Sequence, residues 1–184
     1  PAQSDPDLPE IRETLSKIDF VVIQDIFFNK TSEYADVIFP ATAWGEHEAV
    51  YSACDRRFQR VHKLVDPDPN VKTDWEILCL VATAMGYPMH YNNTEEIWDE
   101  MISLSPKYYG ATYEKMEANY GIQWPCYTRD PEDKGTKFLH EGATFNKPEG
   151  KGHFYFFPFT PVKEKETEEF PLSLSTVREV GHYS

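Results

Sequence analysis

A chain of 184 residues fits one medium domain or two small ones, and its 40% hydrophobic and 15% aromatic content supports a buried core rather than disorder. The formal net charge of −13 argues against free nucleic acid and against an anionic membrane surface, because phosphate binding needs clustered Lys and Arg. Acidic runs such as Glu95-Glu96 and residues 164–169 read as solvated faces.

The first predicted element is a helix. Asp7 serves as its N-cap, Pro9 suits the first turn and Glu10 stands three residues after the cap. Leu8, Ile11, Leu15 and Ile18 form one apolar stripe. The run Phe20-Val21-Val22-Ile23 is apolar throughout, as a strand buried on both faces should be, and it ends in Gln24-Asp25. One turn of helix over 31–34 and a second buried strand, Val37-Ile38-Phe39, closed by Pro40, suggest a parallel α/β layer whose two strands need further neighbours.

Residues 49–65 read as a hairpin: 49–53 and 58–64 flank the polar turn Cys54-Asp55-Arg56-Arg57. Pro67 and Pro69 then break regular structure. Thr73-Asp74-Trp75-Glu76 has the capping-box pattern, with Trp75, Leu78, Val81, Ala82 and Met85 as the apolar face and Gly86 as the stop. A further helix starts near Asn93, buries Ile97, Trp98, Met101 and Ile102, and ends by Pro106. A shorter one covers 112–119. Residues 121–152 read as irregular, 154–159 as extended and aromatic, 161–169 as an acidic linker, and 171–177 as a strand opening a new domain.

Cys54, Cys79 and Cys126 form no CxxC, so this chain alone ligates neither a zinc knuckle nor an iron–sulfur cluster. Reduced thiols in a cytoplasmic protein are the simplest reading. No apolar run approaches a membrane span and no signal peptide is visible. Pro1, in place of Met, suggests that the chain does not begin at a natural translation start.

Three places can carry chemistry. Asp25 follows a predicted strand, where ligands of open parallel sheets bind; it either accepts from a ribose or base or serves as a helix cap or turn residue. Asp74 opens a helix, where it either only complements the dipole or faces the paired donors of a guanine edge. Residues 178–184, with Arg178, Gly181 and His182, suit phosphate and pterin oxygens, or are simply a surface loop. Trp44-Gly45-Glu46-His47-Glu48 has a single His and too few ligands for a metal.

Several stretches together resemble the large subunit of molybdenum- or tungsten-dependent formate dehydrogenases, most closely the H type. They are residues 22–27, 35–40, 44–48, 72–75, 85–94, 109–116, 122–126 and 174–184. The resemblance covers nearly the whole chain and marks it as an internal piece of a molybdopterin oxidoreductase. It implies a fold of class α/β: a parallel-sheet αβα dinucleotide-binding-like layer, an inserted β-hairpin and helical segment, and the start of a C-terminal β-barrel. Residues 1–43 and 73–94 would belong to the cofactor-binding α/β domain, 44–72 and 95–136 to a neighbouring domain, and 137–184 to a linker and the barrel.

The implied cofactor is bis-molybdopterin guanine dinucleotide with Mo or W, with an iron–sulfur cluster elsewhere in the full-length protein. By the same resemblance, Gln24 and Asp25 meet a guanosine, His47 lies near the cofactor, and Asp74 reads a guanine. Thr176, Arg178, His182 and Ser184 would hold the pterin and phosphates. Ala49 stands where relatives commonly have Gly. The family's metal-ligating selenocysteine or cysteine, its substrate-orienting Arg and its cluster cysteines have no counterpart here, so no catalytic or metal-ligating residue is expected in this segment and it should be inactive alone. The implied partners are the rest of the catalytic subunit, iron–sulfur, hydrogenase or NAD-linked electron-transfer subunits, and formate as substrate, in the cytoplasm and without membrane contact. A nitrate reductase, a non-catalytic respiratory-complex relative and a stand-alone nucleotide-binding module are the alternatives.

Overall fold

In a computed structural model that describes residues 1–177, the first helix, α1 (Leu8–Leu15), forms where its cap predicts. The Asp7 carboxylate accepts from the Glu10 amide at 3.5 Å. No residue of α1 is buried, and Ile18 lies beyond its end, 49% exposed, so the expected stripe meets no core among the described residues.

Strand β1 (Val22–Asp25) pairs in parallel with β2 (Val37–Pro40), from Val22 opposite Val37 to Asp25 opposite Pro40. The connection contains a 3₁₀ turn, Lys30–Tyr34, closed by Asn29, whose side chain accepts from the Thr31 amide. The expectation that the first strand is buried on both faces is not met: Val22 is half exposed, and Phe20 lies outside the strand and exposed. A parallel strand is covered on both faces only inside a wider, layered sheet. Here the sheet has two strands among the described residues.

The predicted hairpin is β3 (Ala49–Ser52) antiparallel to β4 (Arg57–Val61). A third strand, β5 (Ile122–Gln123), joins the other edge of β4, with Phe58 opposite Ile122. Two residues are too few for a period-two pattern, so this part of 121–152 reads as irregular in sequence. Helix α2 (Asp74–Ala84) ends in a Schellman arrangement: Gly86 N–H donates to Thr83 and Tyr87 N–H to Ala82, with Gly86 at φ 90°. Helices α3 (Thr94–Ser103) and α4 (Tyr113–Ala118) are capped by the side chains of Asn93 and Thr112.

These elements supply the core. Phe58, Trp98, Ile102, Ala111, Tyr113, Met116, Ile122 and Cys126 pack together, so β4, β5, α3 and α4 share one apolar interior. Phe58 meets Trp98 edge-on at 5.0 Å and Tyr108 at 5.2 Å, the geometry that aromatic quadrupoles favour. The buried indole N–H of Trp98 donates to Ala111 O at 2.6 Å. Arg56 ties the following loop down by donating to the carbonyls of Trp124, Thr136 and Lys137.

On α2 the predicted apolar face is corrected. Ile77 and Cys79 are the buried residues, whereas Leu78, Val81 and Met85 are exposed. The helix is apolar nearly all round, so periodicity selects no side, and Ile77 shares with Leu80 and Val81 a cleft that Phe39 and Pro40 of β2 also line. Met101 of α3 is likewise exposed, not buried.

The chain divides into two compact units, Pro1–Leu139 and His140–Ser184. In the second, the His140 ring stacks on Phe145 at 4.5 Å and Phe154 and Phe156 are exposed. The strand expected over 171–177 is absent, and the described residues contain no barrel. A strand requires a paired backbone, and this stretch has no backbone partner among the described residues. The architecture is therefore mixed α/β, with a parallel pair and an antiparallel three-stranded sheet. Among the described residues, no helix is long and apolar enough to cross a membrane.

Ile102 is fully buried in this interior and Leu104, just past the same helix, is 79% exposed. Ile102→Ala should lower unfolding free energy by about 2–5 kcal/mol, and Leu104→Ala by less than about 0.5 kcal/mol. Urea denaturation of the two variants checks the contrast.

Candidate functional site

Because β1 and β2 run the same way, their carboxyl ends share one edge. Ala41 extends that edge by bridging to Lys72 in parallel, and the Thr42 amide donates to Lys72 O at 3.2 Å. This pairing brings the first turn of α2 to the strand ends. The unsatisfied amides of a helix start favour negative charge there.

Gln24 and Asp74, 50 residues apart in sequence, meet at this edge: the Gln24 amide donates to Asp74 Oδ1. The other carboxylate oxygen of the exposed Asp74 has no hydrogen-bond partner among the described residues. One step along, Glu76 reaches back to the N-cap residue. Its Oε2 accepts from the Thr73 hydroxyl at 2.6 Å and the Thr73 amide at 2.9 Å. The hydroxyl bond is the main cause that holds the Glu76 carboxyl below its usual range, against the opposing effect of burial.

Asp25 is engaged locally. Oδ1 accepts from the amides of Ile26 and Phe27 at 2.7 and 3.3 Å, and Oδ2 from the Asn29 side chain at 2.7 Å. It thereby caps the turn leaving β1, one of the two roles open to it in sequence. His47 reaches the same edge by another route: its Nδ1 lies 2.8 Å from the hydroxyl of Thr42, a buried residue just past β2. Its neighbours point elsewhere. Glu46 accepts from the Ala43 amide, and Glu48 pairs with Arg60 and His62, each at 3.6 Å.

Thr176 is exposed in the second unit, and Arg178, His182 and Ser184 lie outside the described residues. The structure thus brings Gln24 and Asp74 into contact and sets Asp25 and His47 along one strand edge. Thr42, which anchors His47, carries no motif that singles it out in sequence, whereas Lys72, which anchors the helix start, belongs to the 72–75 stretch.

Two clefts of about 480 and 400 Å³ flank the parallel pair. The first is lined by Gln24, Asp25, Asn29 and Thr31 together with apolar Leu15, Val22 and Ile23, the second mainly by apolar groups including Phe39, Ile77 and Leu80. A carboxylate, an amide and an imidazole beside a helix start can hydrogen-bond a nucleoside. They do not form a nucleophile–base pair. Among the described residues, no group of three or more His, Cys, Asp or Glu side chains could hold a metal ion.

The family model for molybdopterin oxidoreductases matches residues 1–84, which contain this whole strand edge. Over 184 residues the chain is 50% identical to formate dehydrogenase H of Escherichia coli (strain K12), covering 100% of this chain and 26% of that protein. It is 38% identical to the F420-dependent formate dehydrogenase 2 subunit alpha of Methanococcus maripaludis, again across 100% of this chain and 27% of the relative. A nitrate reductase of Symbiobacterium thermophilum is 33% identical, with 100% of this chain and 26% of that protein covered. The chain spans about a quarter of the length of these relatives.

The Glu76 carboxyl, lowered on folding, stabilises the start of α2. That contribution is fully present above the usual glutamate value of 4.5 and is lost as the pH falls through the lowered folded value. Glu76→Gln should therefore be less stable than the parent at neutral pH, with the difference closing in acid. Denaturant midpoints measured across the acid range check this.

Proposed function

We propose that this chain, which belongs to the molybdopterin oxidoreductase family, is the part of a formate dehydrogenase catalytic subunit that grips the guanine end of a bis-molybdopterin guanine dinucleotide carrying Mo or W. The observation that carries the reading is the Gln24–Asp74 contact at the carboxyl edge of a parallel pair, beside the first turn of a capped helix. Ligands of open α/β sheets bind at such an edge.

The residues present suit that group. A guanine offers N1–H and N2–H₂ as adjacent donors, and the Asp74 carboxylate retains acceptor capacity on both oxygens after taking one bond from Gln24. Gln24 holds the carboxylate, Asp25 shapes the turn beside the guanosine, and His47 faces the cofactor from the end of β2. Thr176, Arg178, His182 and Ser184 hold the pterin and phosphates. When bound, the metal–pterin centre supplies two-electron chemistry for converting formate to carbon dioxide. This chain's own part is binding and orientation.

Under the same reading, residues 1–43 and 73–94 belong to the dinucleotide-binding α/β domain, 44–72 and 95–136 to its neighbour, and 137–184 lead into a β-barrel. The metal-ligating residue and an iron–sulfur cluster belong to the rest of the subunit, which works in the cytoplasm with electron-transfer partners. A nitrate-reducing relative is the second reading, supported by the 33% identity to a nitrate reductase.

In the full-length protein, Asp74→Ala should weaken retention of the guanine dinucleotide by about ten- to a hundredfold, the worth of a charge-assisted bond pair, and Asp74→Asn nearly as much. The readout is guanine released per polypeptide after acid treatment. Undiminished guanine content in both variants would overturn the assignment.

A further inference from the structure

Lys115 of α4 is only 5% exposed, and Cys126 is fully buried. The lysine Nζ donates to Thr128 O at 2.8 Å and to Cys126 Sγ at 3.4 Å. It forms no ion pair with a carboxylate among the described residues, although buried ammonium groups ordinarily have one. Asp133, tied to the amides of Thr128 and Gly135, faces the pair without bonding Nζ. Gly110 leaves room for the thiol and for the carbonyl that Lys115 bonds. A Cβ on Gly110 would stand 2.6 Å from Cys126 Sγ and 2.1 Å from Thr128 O. Lys115 also helps to line a cleft of about 310 Å³ with Thr112, Asn119, Arg129 and Lys134.

We propose that Lys115 and Cys126 are a modification site, at which dioxygen joins Nζ to Sγ through a single bridging oxygen atom. Lys115 first releases its ammonium proton to water. The amine and the thiol then give up two of their three hydrogens to one atom of dioxygen, which leaves as water, and the nitrogen keeps the third. The other oxygen atom forms one bond to nitrogen and one to sulfur. Nitrogen and sulfur are each oxidised by two electrons, and dioxygen is reduced by four.

Two features of the site favour this product over ordinary thiol oxidation. Burial pushes the Cys126 thiol up, so it is mostly protonated and shielded from larger electrophiles. Oxidation is therefore slow, and an amine already in contact captures the sulfur before it climbs to sulfinic acid. At a separation of 3.4 Å a one-atom bridge needs a smaller approach than a direct nitrogen–sulfur bond, and the flexible lysine stem supplies it. The link would fasten α4 to the segment after β5, closing the interior that holds Met116 and Ile122.

The test is mass spectrometry of the intact protein after exposure to air, compared with a sample kept under dithiothreitol. The expected product is a cross-linked pair of peptides containing Lys115 and Cys126. It is heavier than their sum by about 14 Da, one oxygen gained and two hydrogens lost, and is undone by dithiothreitol. It should be missing from Lys115→Arg and Cys126→Ser. The digest of the unmutated protein decides the matter even if a variant fails to fold. Recovery of Cys126 only as free thiol or as an oxyacid overturns the proposal. So does a link that has lost two hydrogens without gaining oxygen.

Discussion

Parallel pairing of β1 with β2 is the constraint on which the candidate site depends. Had the strands run antiparallel, Gln24 and Pro40 would stand at opposite ends of the sheet. With both carboxyl ends at one edge, the Ala41–Lys72 bridge has only one place to deliver the start of α2. Gln24, Asp74 and His47 are then joined by two side-chain hydrogen bonds: the Gln24 amide donates to Asp74, and the buried hydroxyl of Thr42 meets the His47 ring. The edge gathers hydrogen-bonding groups from three separate stretches of sequence without using a loop longer than the fold already needs.

The interior lies elsewhere, between the β3–β4–β5 sheet and the helices α3 and α4. Aromatic rings dominate it, and their edge-on contacts fix Phe58 against both Trp98 and Tyr108. The site therefore rests on the thinly covered part of the chain. Large apolar side chains such as Leu78, Leu80 and Met85 remain in water on α2. Exposed patches of this kind mark surfaces that meet other protein. A cofactor-binding segment within a larger subunit, as proposed, gives them a cover.

Local chemistry was legible in the sequence. The cap at Asp7, the Glu76 bond to Thr73, the Gly86 stop and the hairpin turn formed where residue type demanded, and α3 and α4 begin beside Asn93 and Thr112. Each depends on neighbours within a few positions, so the information lies in the sequence itself. Of the site, Asp74 and Gln24 stand out in the sequence, but nothing in either stretch says that they touch.

Tertiary structure alone decided the rest. Burial of α2 could not be read from a helix apolar on nearly every side, because the choice belongs to whatever lies against it. The two residues of β5 acquire strand form only from the edge of β4, and residues 171–177, with a better strand pattern, have no backbone partner among the described residues. Lys115 and Cys126 make the same point: their chemistry is set by partners that folding supplies, whereas Asp25 bonds only within its own turn. Sequence fixes what a residue can bond within its own turn, whereas contacts across many residues exist only once the backbone has chosen which strands and helices are neighbours.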